Sequence, residues 1–256
     1  MRAAEGAPRP GPPGPFRRAP PARYYAGSVS QAPAPPARDA ADRPGLFLTF
    51  EGGDGVGKTT QTRILAEALR AEGVEVLVTR EPGGTDLGAE IRRLLLDGGH
   101  VDPRAEALLY AADRAHHVAT LVRPALERGA VVVSDRYLDS SVAYQGAARS
   151  LGAEDVRSLS LWATGGLLPD RTILLDADPA LADRRTNGRG GRDRLERESD
   201  AFRAALREQF LALADAEPER IVVIDAARPV EAVTAAVRSA LDPLLDARSG
   251  PGGRGA

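Results

Sequence analysis

The sequence predicts an α/β protein in which five parallel strands form one sheet with helices on both faces. Short apolar runs alternate five times along the chain with longer segments of helical spacing, and polar residues follow each run. Strands that alternate with helices lie parallel, because each helix carries the chain back across the sheet. The polar residues would then meet at one edge, where open α/β sheets bind ligands.

Each predicted strand is a short apolar run that we expect to be buried on both faces. The five runs are Leu46–Phe50, Val74–Val78, Ala130–Val133, Thr172–Leu175 and Ile221–Ile224. The segments with helical spacing are Thr59–Arg70, Ala105–Arg128, Ala201–Ala214 and Val230–Leu245. A further helix is expected to start at Asp178, because aspartate before proline is typical of a helix N-terminus.

The composition excludes several classes of protein. The 256 residues include no cysteine, so disulfides, thiol nucleophiles and cysteine-bound metals are excluded and a reducing cytoplasm is the expected location. The net charge of −2 does not favour nucleic-acid binding by bulk electrostatics. No apolar run approaches the roughly 18 to 20 residues that span a bilayer, so no membrane partner is expected.

The two ends of the chain differ from the rest. Residues 1–45 hold 11 of the 20 prolines and almost no large aliphatic side chains, so they cannot offset their ordering entropy by burial. We interpret them as a disordered tail, dispensable or lying before the true start, with a functional arm as the alternative. The predicted domain is 46–246, followed by a flexible end rich in glycine and arginine at 247–256.

A phosphate-binding loop follows the first predicted strand. The sequence G-G-D-G-V-G-K-T matches the P-loop pattern in the required setting between a strand and a helix. Lys58 is the only lysine among 34 basic residues, so its place in this motif is informative. Its ammonium would reach the β- and γ-phosphates, and the Thr59 hydroxyl would bind Mg²⁺. The predicted ATP-binding residues are Gly52, Gly53, Asp54, Gly55, Val56, Gly57, Lys58, Thr59 and Thr60.

Other P-loop classes fit the sequence poorly. The guanine-reading N-K-x-D motif of GTPases cannot occur, because Lys58 is the only lysine. No signature of an ATP-binding cassette is present either. The remaining motifs therefore have to identify a second substrate.

Charged residues next to the P-loop and the third strand are candidates for that chemistry. Asp54 could cap the loop, bind a hydroxyl of a second substrate or hold a cation. Asp135 and Arg136 follow the third strand, where the carboxylate could hold a metal and the guanidinium could clamp a phosphate. A surface ion pair is the alternative for these two residues.

Two further segments would lie at the same edge of the sheet. T-R-E-P-G-G-T after the second strand predicts a rigid loop with a possible cis bond between Glu81 and Pro82. Tyr110 and Arg114 are four residues apart on a helix and share one face. Together they suit a flat base and a phosphate, although a core tyrosine beside a solvent arginine would look the same.

A segment rich in arginine, about 184–197, could form a lid over the transferring phosphate. It holds six arginines with glycines between them. A solvated linker or a nucleic-acid-binding tract are the alternatives. The three histidines show no metal-ligand spacing, and we expect them to be ordinary.

These motifs together resemble the thymidylate kinases over Phe47 to about Leu245. The resemblance rests on F-E-G-G-D-G-V-G-K-T-T-Q, T-R-E-P-G-G-T, Y-A-A-D-R-A, S-D-R-Y-x-x-S-S-x-A-Y-Q-G and D-R-L-E. It implies the P-loop nucleoside monophosphate kinase fold and transfer of the γ-phosphate of ATP to dTMP, in dTTP synthesis for DNA replication. It further implies Mg²⁺ and a homodimer.

The resemblance also implies roles for individual residues. Asp54 would bind the sugar 3′-hydroxyl, Tyr110 would stack on thymine, and Tyr144 would disfavour a 2′-hydroxyl. The implied dTMP-binding residues are Asp54, Glu81, Pro82, Tyr110, Arg114, Arg136, Ser141, Tyr144 and Gln145. The implied catalytic residues are Lys58, Asp135, Arg136, Arg189 and Arg192, with Thr59 and Asp135 as metal ligands.

The family divides by the position of its catalytic arginine. A neutral Gly55 in the P-loop and arginines at 189, 192 and 194 resemble the subgroup whose lid supplies that arginine. The long tail is a departure from the family, and so is Tyr110, where phenylalanine is common. Another nucleoside monophosphate kinase, or a non-catalytic ATP-binding module, remains the alternative.

Overall fold

The computed structural model describes residues 45–149, 151–186, 194 and 198–249. The predicted tail up to residue 44 and the predicted lid residues Arg189 and Arg192 lie outside the described residues, as do 250–256. The last helix runs to Ser249, three residues past the predicted end of the domain. None of the helices in the described ranges is both long enough and apolar enough to cross a membrane.

A five-stranded parallel sheet is the centre of the fold, as predicted. The strands are β1 (Leu46–Glu51), β2 (Val76–Arg80), β3 (Val131–Asp135), β4 (Arg171–Asp176) and β5 (Ile221–Asp225), in the order β2-β3-β1-β4-β5. All five end one or two residues later than predicted, because the ladder continues through polar pairs such as Arg80 with Asp135 and Asp176 with Asp225. The polar residues after the apolar runs are therefore strand residues at the carboxyl edge.

The prediction that every strand is buried on both faces is wrong for the two edge strands. In β2 and β5 only the first and fourth residues are buried, and the side chains of Val78 and Val223 are 40% and 44% exposed. Each of these strands has a hydrogen-bonded neighbour on one side only. The apolar runs did not distinguish edge strands from central ones.

Helices cover both faces of the sheet. They are α1 (Lys58–Ala71), α2 (Asp86–Leu96), α3 (Pro103–His117), α4 (Arg123–Glu127), α5 (Leu138–Ser141), α6 (Ala153–Thr164), α7 (Pro179–Thr186), α8 (Asp200–Ala216) and α9 (Val230–Ser249). The sequence analysis missed α2, α5 and α6. The predicted helix start is confirmed, since Asp178 Oδ1 accepts a hydrogen bond from Ala180 N at 2.8 Å.

The single helix predicted over Ala105–Arg128 is instead divided into three parts. It begins at Pro103, takes a turn of π-helix over Val118–Val122 and continues as α4. Pro124 has no amide hydrogen to donate to the preceding turn, which explains why regular α-helix does not continue through this point.

Alternate residues of β1 point to opposite faces and belong to separate cores. Leu48 and Phe50 pack in the cluster that α1 and α9 cover. Phe47 points to the other face and packs edge-on against the Tyr137 ring, with Val122 beside them. The P-loop that follows β1 is therefore anchored at the centre of the sheet.

Candidate active site

A cavity of about 930 Å³ opens at the carboxyl edge of the sheet. Its lining comes from the P-loop, the loops after β2, β3 and β5, and the helix α3. The predicted site residues that line it are Asp54, Gly55, Val56, Gly57, Lys58, Thr59, Thr60, Glu81, Pro82, Tyr110, Arg114, Asp135, Arg136, Ser141, Tyr144 and Gln145. Gly52 and Gly53 line a smaller cavity on the opposite side of the P-loop.

The P-loop depends on glycine at specific points. Gly52 has a φ of 126°, and a Cβ there would lie 2.3 Å from the carbonyl oxygen of Leu175. Gly57, with a φ of 103°, occupies the N-cap position of α1. The first turn of α1 therefore begins directly behind the loop, which places its amide groups and the positive end of the helix dipole toward bound phosphate.

Lys58 is held by the loop that contains it. Its Nζ donates to the carbonyl oxygens of Gly52 and Gly53, at 3.0 and 2.6 Å, and lies 4.0 Å from Asp54 Oδ1. Burial, together with the positive charge of Arg136, lowers the pKa of Lys58. To contact a phosphate, the ammonium would have to exchange these carbonyls for phosphate oxygens.

Thr59 and Asp135 lie together at the start of α1 and the end of β3. Thr59 Oγ1 donates to Asp135 Oδ2 at 2.8 Å. Among the residues that the structure describes, no group of three or more His, Cys, Asp or Glu side chains could hold a metal. A hydroxyl and one carboxylate nevertheless fit Mg²⁺ here, since this ion typically binds few protein oxygens and completes its shell with phosphates and water.

Arg136 joins the P-loop to the opposite wall of the cavity. Its guanidinium donates to Gly52 O and Ser140 Oγ, both at 3.0 Å, and also pairs with the Asp54 carboxylate. It lies over the Tyr144 ring, 5.2 Å from the centroid, and Tyr144 donates its hydroxyl to Asp54 Oδ2 at 3.2 Å. Asp54 is thus a partner of Arg136 and Tyr144 as well as part of the loop.

The charge of Asp54 is fixed by these neighbours. Burial alone would raise its pKa, but the positive charges of Arg136 and Lys58 outweigh burial and the pKa is lowered. The repulsion that a carboxylate beside a triphosphate would cause is thereby offset by two cations within the same cavity.

Arg114 is buried at the far side of the cavity and donates four hydrogen bonds to the protein. It donates from Nε to Glu81 Oε2 at 2.7 Å, and its terminal nitrogens donate to Ser160 Oγ, Tyr137 O and Ser141 Oγ. Only 1% of its side chain is exposed, yet it contributes to the cavity lining. This side chain is therefore fixed in orientation before any ligand arrives.

Glu81 links Arg114 to a histidine that the sequence analysis had treated as ordinary. His117 Nδ1 shares a hydrogen bond with Glu81 Oε1 at 2.7 Å, and its Nε2 shares one with Thr79 Oγ1 at 2.7 Å. The peptide bond from Glu81 to Pro82 is cis, as the motif allowed. Both carboxylate oxygens of Glu81 thus already bind protein groups.

Asp113 adds a second buried carboxyl to this network. Gly83 N donates to its Oδ1 at 3.3 Å, whereas its Oδ2 has no hydrogen-bond partner among the residues that the structure describes. Burial, reinforced by the negative charge of Glu81, raises the pKa of Asp113 to about 6.

One end of the cavity is formed by α3 and the π-helical segment Val142–Ala148. Tyr110 and Arg114 both line the cavity, as their spacing predicted. Gln145 Nε2 donates to Glu106 Oε1 at 2.8 Å, and Arg194 also pairs with the Glu106 carboxylate. Tyr110, Tyr137 and Tyr144 all line the cavity, and each also belongs to a buried apolar cluster.

Several residues of the cavity were not found from the sequence. Ser140, which holds Arg136, is one of them, and the loop after β5 is another. Arg185, which lies within the predicted lid segment 184–197, is part of α7 and lines the cavity beside that loop. Arg185 Nη1 donates to Ala226 O in that loop at 2.8 Å. The rule that ligands bind at strand carboxyl ends could have indicated the loop after β5.

A loop that cradles phosphates, next to arginines that suit a second phosphate, defines a P-loop phosphotransferase with a donor and an acceptor. The thymidylate kinase family model matches residues 50–237. The chain therefore belongs to the thymidylate kinase family, and by that membership it is a dTMP kinase.

Curated relatives and a solved structure agree with this assignment. Thymidylate kinases of Clavibacter michiganensis subsp. michiganensis and Leifsonia xyli subsp. xyli are 61% and 63% identical to the chain, over 79% and 78% of its length and 97% and 96% of theirs. The crystal structure of thymidylate kinase from Ehrlichia chaffeensis matches at a TM-score of 0.65 and 32% identity. That match covers 78% of this chain and 99% of the other.

Proposed function

We propose that the chain transfers the γ-phosphoryl group of ATP to dTMP across the junction formed by Arg136. We call the side of the cavity formed by α3 and by the loops after β2 and β3 the acceptor wall. The observation that carries this proposal is that the Arg136 guanidinium contacts both the P-loop, at Gly52 and Asp54, and this wall, at Ser140 and Tyr144. A cation at the meeting point of two phosphate sites can stabilise the negative charge that spreads during phosphoryl transfer.

The donor would lie along the P-loop toward β5. Lys58 and the amides at the start of α1 would hold its phosphates, and Gly52, Gly53, Gly55, Val56, Gly57 and Thr60 would form the surrounding loop. Arg185 and Arg228 line the cavity on the β4 and β5 side of the sheet. Because the acceptor wall lies on the β2 and β3 side, the nucleoside of ATP would occupy the β4 and β5 side of the cavity.

The acceptor would lie against α3 and the loop after β3. Arg114 and Arg136 would hold the dTMP phosphate, with Glu81 and Pro82 fixing the loop beside it. Tyr110 would stack on thymine, with Ser141 and Gln145 at the base edge. Asp54 and Tyr144 would contact the sugar, where the Tyr144 ring would disfavour a 2′-hydroxyl.

The side chains of the site would then position the substrates and stabilise charge, without forming a covalent bond to the phosphoryl group. Lys58 and Arg136 bring the acceptor oxygen and the donor phosphoryl into line and offset the charge that develops. Thr59 and Asp135 would hold Mg²⁺, which when bound neutralises charge on the donor phosphates. Asp54 keeps Arg136 and Lys58 oriented while it binds the sugar hydroxyl.

Two arginines outside the described residues complete the proposal. Gly55 gives the P-loop no cationic side chain besides Lys58, so Arg189 and Arg192 are proposed to supply a further cation from the segment 184–197. Arg189→Ala, or the double replacement with Arg192→Ala, should lower kcat at least about a hundredfold with little change in the KM for dTMP. Unchanged turnover in both variants would remove these two residues from the mechanism.

A coupled ADP-release assay with ATP and a panel of nucleoside monophosphates tests the substrate assignment. We expect dTMP to be used most efficiently and turnover to require Mg²⁺. Equal efficiency with CMP or AMP would favour another nucleoside monophosphate kinase. ATP binding without turnover of any monophosphate would favour a non-catalytic module.

We further propose a homodimer in the cytoplasm, with no nucleic-acid or membrane partner. The location rests on the absence of cysteine from the sequence.

Large exposed apolar side chains on two helices that pack together support the dimer, namely Leu108 on α3 and Trp162 on α6, at 59% and 82% exposed. Light scattering should give twice the mass of the chain, and Trp162→Glu should shift it toward the monomer. A monomeric wild type would contradict the dimer.

A further inference from the structure

Glu51, the last residue of β1, is a buried carboxylate that does not line the active-site cavity. Its oxygens accept three hydrogen bonds from the loop after β3. Tyr137 N and Ser140 N donate to Oε1 at 2.8 and 3.2 Å, and Ser140 Oγ donates to Oε2 at 2.6 Å. A carboxylate surrounded by donors from a single loop fixes the conformation of that loop.

The loop held in this way carries Arg136. Arg136 has a φ of 73°, in the left-handed region that residues with a side chain seldom adopt. Its own amide donates to Phe50 O at 2.9 Å, and the next amide, that of Tyr137, donates to Glu51. The last two residues of β1 therefore pin the backbone on both sides of the Arg136 Cα.

A second connection reaches the guanidinium itself. The Ser140 hydroxyl donates its hydrogen to Glu51 and accepts a hydrogen bond from Arg136 Nη1 at 3.0 Å. Because the hydroxyl has one hydrogen, its use by Glu51 leaves the oxygen lone pairs for Arg136. The orientation of this hydroxyl, and with it the position of the guanidinium, depends on the carboxylate behind it.

We propose that Glu51 is a positioning residue for phosphoryl transfer, acting on Arg136 through the Ser140 hydroxyl and the Tyr137 amide. The inference rests on the role of Arg136 in the proposed function and extends it to a residue that contacts no ligand. Glu51 holds the guanidinium between the P-loop and the acceptor wall, so that its orientation is set before substrates bind.

Glu51→Gln is the central variant, because it keeps the shape of the side chain but replaces one acceptor oxygen with a donor. The amide can still accept from the Tyr137 and Ser140 backbone, whereas the Ser140 hydroxyl loses its acceptor. We expect kcat/KM for dTMP to fall at least about tenfold, with the KM for ATP within about twofold of the wild type. Ser140→Ala removes the same link without altering a buried charge, and should act in the same direction.

Asp139→Asn is the matched control. Asp139 is a buried carboxylate in the same segment after β3, but it accepts from Arg220 and Thr172 instead of Arg136. Burial and the negative charge of Asp139 raise the pKa of Glu51 to about 7, so replacing Asp139 favours the ionised form of Glu51 that accepts from Ser140. Its replacement should lower the melting temperature and leave kcat/KM for dTMP within about threefold of the wild type. Loss of activity in this variant equal to that in Glu51→Gln would show that any damage to the loop has the same effect, and would overturn the inference.

The double variant with Arg136→Ala separates the inference from the proposed function. If Glu51 acts through Arg136, Glu51→Gln should cause no further loss of kcat/KM once Arg136 is replaced. Full additivity would overturn the inference, and so would wild-type activity in both Glu51→Gln and Ser140→Ala. Wild-type activity in Arg136→Ala alone would instead refute the proposed role of Arg136. If Glu51→Gln does not fold, the same cycle is run with Ser140→Ala.

Discussion

The donor loop and the acceptor wall are built in different ways. The P-loop is one continuous stretch of eight residues, and Lys58 is held by carbonyl groups of its own loop at Gly52 and Gly53. The acceptor wall is assembled from distant segments, since Arg114 is fixed by Glu81, 33 residues earlier, and by Ser160, 46 residues later. A local backbone conformation thus creates one site, and buried charge pairing creates the other.

This difference determines how each half should respond to substitution. The P-loop holds Lys58 through neutral carbonyls that the ammonium can release. Removal of the Lys58 side chain should therefore affect activity more than folding. The buried charges of the acceptor wall depend on one another, so removing one should affect folding as well.

Lys58→Ala should produce the largest change in activity. We expect kcat to fall about a thousandfold, because the ammonium offsets charge on the transferring phosphoryl group. The melting temperature should change little, since Asp54, the carboxylate 4.0 Å from Lys58, keeps Arg136 as its partner. Steady-state kinetics measure the fall in kcat, and thermal unfolding measures the melting temperature. An unfolded variant would contradict the expectation that the P-loop affects activity more than folding.

Glu81→Gln should produce the largest change in stability. It leaves the buried Arg114 without its countercharge, and breaking such a pair costs about 3 kcal/mol or more of unfolding free energy. Urea denaturation measures it. The matched control is Glu75→Gln, which breaks an ion pair with Arg128 whose side chains are more than half exposed and should cost under about 1 kcal/mol. Equal losses of unfolding free energy in the two variants would show that the buried ion pair stabilises the fold no more than the exposed one.

Replacement of dTMP by dUMP should have a smaller effect. The missing methyl group removes one apolar contact, which is worth about 1 to 3 kcal/mol. We expect dUMP to be a poor substrate, with kcat/KM roughly ten- to a hundredfold below that of dTMP. Equal efficiency would show that the Tyr110 side of the cavity does not contact the methyl group.

Replacement of Asp113 should have the smallest effect, a change in how the unfolding free energy depends on pH. Its pKa is raised from 3.8 to about 6, so the folded state binds the proton more tightly than the unfolded state. This contribution is fully present below pH 4 and is lost as the pH rises through about 6. Asp113→Asn should therefore flatten the decline of unfolding free energy between pH 4 and 6, measured by urea denaturation. An unchanged slope would contradict the raised pKa.

The same contrast explains what the sequence could predict. The P-loop, Asp135 and Arg136 were found because each lies at or directly after the carboxyl end of a strand, within a local pattern that carries its own physical meaning. Tyr110 and Arg114 were found because their helical spacing puts them on one face. The parallel sheet followed from the alternation of apolar runs, but the order of its strands did not, so the half-exposure of β2 and β5 was missed.

The positioning residues could not be found in this way. Glu51 contacts Tyr137 and Ser140 across 86 and 89 residues, and His117 reaches Glu81 across 36. No local spacing encodes such pairs, because they form only when the loops after β1, β2 and β3 meet at one edge. His117 lies three residues after Arg114 on α3, a spacing that could have suggested a shared face.

Direct binding of each substrate, measured separately by calorimetry, tests the division between the two halves most directly. Wild-type protein should bind dTMP without ATP, because Arg114 and Arg136 are already in place. Lys58→Ala should weaken ATP binding and keep dTMP affinity within about threefold, whereas Arg136→Ala should weaken dTMP binding at least about tenfold. Wild-type dTMP affinity in Arg136→Ala, or dTMP binding that requires ATP, would contradict a preformed acceptor wall.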